Sequence, residues 1–195
     1  MKIAMVTTVG EKCGIAAYSV ELVEALRRLP RMEIEVVPIT VGHQSLEHYE
    51  AQARILNAED VDIVHIQHEH SFWGGILPGH SAYWTFRYLI KKPVVVTAHT
   101  TYSLAQMLRL KTERRPHIWL AKKVLTLRKG YRDSVDIAPF ASAYTIVHTT
   151  EAGRELVARG ADPHNVAVIP AGVPKTVPAP SEGRAFREKY GLQGK

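Results

Sequence analysis

Short apolar runs alternate along this chain with stretches of helical spacing, and that alternation constrains the fold more than any other feature of the sequence. Residues 2–7 (Lys-Ile-Ala-Met-Val-Thr) read as a buried strand. Over 14–29, Ala16, Val20 and Val23 recur at helical spacing, as do Leu22, Leu26 and Leu29, and Pro30 stops the helix. Ile34, Val36 and Val37 alternate with glutamates in a second strand over 33–39, and 45–58 follow as a helix. Strand 61–67 (Val-Asp-Ile-Val-His-Ile-Gln) leads into a loop holding Gly74, Gly75 and Pro78, then a helix near 80–91. Pro93 opens the strand 94–97, and a long polar and helical stretch covers 103–135. Strand 143–148 precedes a helix over 150–159, which Gly160 terminates, and 166–169 is the last strand. Continuous apolar strands separated by helices predict an α/β domain whose parallel sheet is covered by helices on both faces.

From 170 to 181 the pattern breaks. Pro170, Pro174, Pro178 and Pro180 crowd into this segment, which reads as an extended, semi-rigid linker. A short helical piece follows from Gly183 to Tyr190. The organisation expected is one domain over 1–172 and, over 173–195, a linker with the start of a second, missing domain.

Composition bounds the partners. With 195 residues, 46% apolar and 23% charged, the chain has the make-up of an ordinary globular domain. No apolar run approaches the roughly 20 residues of a membrane span, and the N-terminus turns polar too soon for a signal peptide. A single cysteine excludes an internal disulfide and fits a reducing compartment, so a cytoplasmic location is expected. The net charge of +6 favours anionic partners. Nine Lys or Arg lie between Arg109 and Arg132 against one acid, Glu113. They form either a solvated helix face or a peripheral contact with an anionic inner membrane surface, and both readings stay open.

In open parallel sheets, ligands bind beyond the carboxyl ends of the strands. Five such exits carry glycine or titratable side chains: Gly10-Glu11-Lys12-Cys13-Gly14, His68-Glu69-His70, His99-Thr100-Thr101, His148-Thr149-Thr150-Glu151 and Pro170-Ala171-Gly172. Their convergence on one edge predicts a polar cleft. The loop Gly10–Gly14 runs from a strand into a helix N-terminus, which is either a plain tight turn or a cradle for an anion. It is neither a dinucleotide fingerprint nor a P-loop. Cys13 reads as a small residue opening the helix rather than a nucleophile. His68 and His70 would share one side if the strand continued, which raises a metal reading, but no further ligand set accompanies them. His65 lies inside the strand and reads as a satisfied core histidine. Glu69 suits either a polyhydroxy ligand or a neighbouring histidine. His99, directly after four apolar or β-branched residues, is expected at the cleft mouth, as a ligand contact or as a cap.

Four stretches together resemble the N-terminal domain of the retaining glycosyltransferases of family 4. They are Cys13-Gly14-Ile15-Ala16-Ala17-Tyr18; Asp62 to Glu69 with Phe72-Trp73-Gly74-Gly75; Pro93 to Thr100; and Val147 to Glu151 with Val168 to Pro174. The resemblance covers nearly the whole chain. It implies one half of a GT-B fold, two Rossmann-like domains with the active site between them. By that resemblance Gly10, Glu11, Lys12, Cys13 and Gly14 face the donor phosphates and sugar, and His99 is the catalytic contact to the transferred sugar. His68, Glu69, Thr100, His148 and Glu151 would lie on the acceptor side. It also implies metal-independent transfer with no cofactor, from a nucleotide-sugar substrate to a sugar or lipid-linked hydroxyl, by same-face attack in which the leaving diphosphate takes the proton. The departure is the family's basic pair and paired glutamates, which this sequence lacks; they belong to the second domain, so the chain alone is expected to be inactive. Rival readings are a nicotinamide-dependent oxidoreductase, disfavoured by the missing glycine fingerprint, and a non-catalytic module for anionic glycans or lipids. Nucleic acid is not an expected partner, because no basic-aromatic motif is present.

Overall fold

The computed structural model describes residues 1–10, 13–41, 45–73, 82–101, 120, 124, 143–172 and 180–192. Glu11, Lys12, Gly74, Gly75, Pro78, the basic run and all of the helical reading over 103–135 except Leu120 and Val124, Pro174 and Pro178 lie outside the described residues.

Six strands, β1 (Lys2–Thr7), β2 (Glu33–Pro38), β3 (Ile63–His68), β4 (Val94–Ala98), β5 (Tyr144–Val147) and β6 (Val166–Val168), form one sheet in the order β2-β1-β3-β4-β5-β6. Every pairing is parallel. The order reverses between β1 and β3, the place where a doubly wound sheet opens a crevice. The central strands are buried because both faces are covered, which is why they read as continuous apolar runs rather than alternating ones.

Helices α1 (Gly14–Arg27), α2 (Leu46–Ala58), α3 (Ala82–Leu89), α4 (Thr150–Ala158) and α5 (Pro180–Lys189) accompany the strands. α1 corrects the sequence reading in its face and its end. Ala16, Ser19 and Val23 are buried, whereas Val20 and Leu29 are exposed. The i, i+3, i+7 row falls on a serine, and Ser19 is tolerated because its hydroxyl bonds Thr7 Oγ1 at 2.6 Å. The helix ends at Arg27, ahead of Pro30, with the amide of Arg28 reaching back to the carbonyls of Ala25 and Leu26. Ser45 caps α2 through His48 N, and Thr149 caps α4 through Ala152 N at 3.1 Å. Gly153 lets α4 approach the sheet closely, for a Cβ there would stand 3.1 Å from Val168 Cγ2. β3 starts two residues later than expected, since Asp62 binds the start of β1 instead: its carboxylate accepts from Lys2 N at 2.7 Å.

The core fills one face with Val6, Val64, Ile66, Val96 and Val147 together with an aromatic group from α2, α3 and the 3-10 turn His70–Trp73. Trp73 is 1% exposed, stacks on Phe86 and meets Tyr49 and Tyr83. The Phe72-Trp73 pair of the sequence motif is therefore an apolar anchor for the loop that carries Glu69.

Candidate functional site

Because all strands run parallel, every strand exit opens on the same edge of the sheet. At the β1 exit Gly10 has φ +74°, in the left-handed region that glycine alone enters freely. Cys13 is the N-cap of α1: its sulfur accepts from Ala16 N at 3.3 Å and lies 3.6 Å from Thr8 Oγ1. Gly10, Cys13 and Gly14 thus sit where the strand turns into a helix N-terminus, a place whose free amides suit an anion.

One turn into α1, Tyr18 meets the histidines of two other exits. Its ring centroid is 5.2 Å from that of His99 and 5.3 Å from that of His148, and the two imidazoles are 5.2 Å apart. Elements distant in sequence are thereby joined into one ring cluster beside a cavity of about 340 Å³ lined by His99, Thr100, His148, Thr149, Ala152 and Glu155. Glu155 and Tyr18 were not among the residues singled out from sequence. Tyr18 lies on the helix that follows the first exit, one turn past Gly14, and that position was the available signal.

The tautomers in the cluster follow from their partners. His148 Nδ1 lies 2.9 Å from the carbonyl oxygen of Ile169, so it donates and Nε2 is left as the acceptor. His148 Nε2 is buried without a hydrogen-bond partner. His99 Nε2 lies 2.8 Å from Gln67 Oε1, an acceptor, so Nε2 carries the proton and Nδ1 is its acceptor atom. Burial, and then the neighbouring His148, push His99 down to about 4, so it is neutral at pH 7. His99 therefore offers, in a neutral imidazole, an acceptor nitrogen for a ligand hydroxyl.

Glu69 and Thr100 come together: Thr100 Oγ1 donates to Glu69 Oε2 at 2.8 Å. His99 N donates to His68 O at 3.1 Å, which carries the β3–β4 ladder one residue beyond the strands. His68 itself departs from its expected acceptor-side position. Its side chain is 1% exposed and packs edge-on against Tyr83 and His70, because the last residue of β3 still follows the inward face of the pleat. Glu151 stands exposed in the first turn of α4, and it is Glu155, one turn later, that lines the cavity. The chain does not stay extended after β3 but turns into the 3-10 segment, so His68 and His70 meet as rings, with centroids 4.8 Å apart. Among the described residues no group of three His, Cys, Asp or Glu side chains could hold a metal ion. His65 is buried in β3 and bonds Thr97 Oγ1 at 2.8 Å. Among the described residues no helix is long and apolar enough to cross a membrane.

The family model of Glycosyltransferase Family 4 matches residues 18–177. No curated protein matches the chain. Among solved structures, HepE of Anabaena in complex with UDP-glucose is similar at 15% identity and a TM-score of 0.50, covering 100% of this chain and 51% of its own. UDP-N-acetylglucosamine 2-epimerase of Rickettsia bellii is similar at 12% identity and a TM-score of 0.41, covering 100% of this chain and 49% of its own. The chain thus spans about half the length of these proteins. The first likeness extends over all six strands of the Rossmann-like fold.

Proposed function

The chain belongs to glycosyltransferase family 4, and from that premise we propose that it forms the acceptor-side half of a retaining enzyme that moves a sugar from a nucleotide-sugar to a hydroxyl. The observation that carries this reading is the ring cluster at the strand exits. His99 and His148, neighbours across the sheet edge, each have one ring nitrogen bound to protein, and in His99 the other is left as an acceptor beside the cavity. A polyhydroxy ligand offers the donors such a wall needs, and burial keeps His99 neutral so that it accepts rather than repels. HepE was captured with UDP-glucose, and a nucleoside-diphosphate sugar is the donor class that fits a diphosphate near the Gly10–Gly14 turn.

In this reading residues 1–172 are the acceptor-side domain, and 173–195 lead to a second domain that binds the nucleotide. His99 contacts the transferred sugar. Glu69, held by Thr100, and His148 with Glu155 face the acceptor. The acceptor hydroxyl attacks from the face the diphosphate leaves, and the departing phosphate oxygen takes its proton, so no side chain of this domain need act as a base.

The test is steady-state kinetics of sugar transfer by the two-domain enzyme, wild type against His99→Ala. Loss of a group that stabilises developing charge lowers turnover about 10²- to 10³-fold. Unchanged turnover with a raised acceptor KM would move His99 from the transferred sugar to acceptor recognition.

A further inference from the structure

Gln67 is 0% exposed in β3, a buried strand, and nothing in the reaction proposed above uses it. A buried amide must find partners for its N–H and C=O groups, and those partners fix which way it faces. Its Nε2 lies 3.3 Å from Met5 Sδ and 3.4 Å from His65 Nε2. Its Oε1 lies 2.8 Å from His99 Nε2. His65 Nε2 also lies 2.8 Å from Thr97 Oγ1, whose hydroxyl can donate to it. Reversing the amide would set its oxygen against the Met5 sulfur and would offer His99 a donor instead of an acceptor. With His65 protonated on Nδ1, the orientation seen lets Thr97 Oγ1 donate to His65 Nε2, turns the amide N–H to Met5 Sδ, and lets His99 donate to the amide oxygen.

We propose that Gln67 is a positioning residue, whose buried amide, oriented by Met5, holds His99 in the tautomer protonated on Nε2 and leaves Nδ1 as the acceptor that a ligand hydroxyl meets. Burial holds His65 at about 4, so it is neutral at neutral pH and, protonated on Nδ1, can accept at Nε2 from the Thr97 hydroxyl. Among the described residues, the titratable groups around His99 are His65 and His68 from β3, Tyr18 from α1 and His148 after β5; Glu69 is engaged by Thr100, and Glu155 lines the cavity. The importance of the tautomer for transfer rests on the reading of His99 as a sugar contact; the tautomer itself does not.

The experiment is nitrogen-15 NMR of the imidazoles in the 195-residue chain at pH 7 without ligand, with His99 identified by the signals lost in His99→Gln. Wild type should show Nε2 protonated and Nδ1 as a bare acceptor nitrogen. In Gln67→Met, which keeps the length and removes the acceptor, this preference should give way to a mixture of tautomers. In Gln67→Glu, the carboxylate should accept from Nε2 and raise the His99 pKa by at least about one unit. Should the methionine variant not fold, Gln67→Glu carries the test, and an unchanged His99 pKa in that variant would overturn the proposal. A wild-type His99 protonated on Nδ1 would overturn the proposal, as would a methionine variant with the wild-type pattern. Absence of sugar transfer by the enzyme would remove the proposed function and leave the tautomer result standing.

Discussion

At the scale of single residues, the interior of β3 and the mouth of the cleft are one structure. His65, Gln67, Thr97 and His99 form a line of hydrogen bonds from the core to the cavity, and the inner members are there to set the outer one. This arrangement has a consequence for stability. His65 is neutral in the folded protein, with its pKa lowered from 6.5 to about 4 by burial and then by His99. The unfolded chain binds the proton more readily, so the stability from this group is complete above pH 6.5 and is lost as pH falls through about 4. The loss between pH 7 and pH 4 from His65 alone is about 3 kcal/mol. His70 and His99 are lowered as well and act with the same sign. Urea unfolding measured across that range should show the midpoint falling with pH, and His65→Asn should flatten the dependence. An unchanged slope in that variant would place the acid sensitivity elsewhere. Much of this was hidden in the sequence, where Gln67 was only the last residue of the expected strand 61–67 and the pairing of β3 with β4 was needed to bring it to His99.

At the scale of elements, the strands were legible because a sheet buried on both faces demands unbroken apolar runs, and their exits were legible because such runs end where polar residues begin. What could not be read was which side of an element faces the core. In α1 the spacing suggested Val20, yet the buried row passes through Ser19, since the hydroxyl of Thr7 was available only in three dimensions. At the end of β3, alternation gave His68 and His70 a shared side without saying that this side was interior. Tyr18 was placed by the motif it belongs to, but its role in joining two exits depends on how α1 lies over them. The turn at the β1 exit is a case where sequence and structure agree, and its cost can be predicted. A Cβ at Gly10 would meet nothing within 4 Å, so only the backbone opposes a side chain there. Gly10→Ala should lower stability by about 1–2 kcal/mol, the cost of an ordinary residue in the left-handed region, and Gly10→Asn should recover part of it. Equal urea midpoints for wild type and the alanine variant would mean that the turn relaxes to another conformation.

For the whole molecule, the family match and the parallel sheet agree on a Rossmann-like domain of a family 4 glycosyltransferase. Topology explains why the cleft lies where it does: the sheet reverses order beside β1, and α1 spans from that reversal to the exits of β4 and β5. In the proposed function the cleft offers an acceptor for a hydroxyl and a turn for an anion, and the partners of a nucleoside are assigned to a second domain. The direct measurement is sugar transfer from a panel of nucleotide-sugars, made with the 195-residue chain alone and with this domain joined to its donor-binding domain, the anomeric configuration of the product being read by NMR. The account predicts no transfer by the chain alone and transfer with retained configuration by the joined protein. Transfer by the chain alone, or a product of inverted configuration, would contradict it.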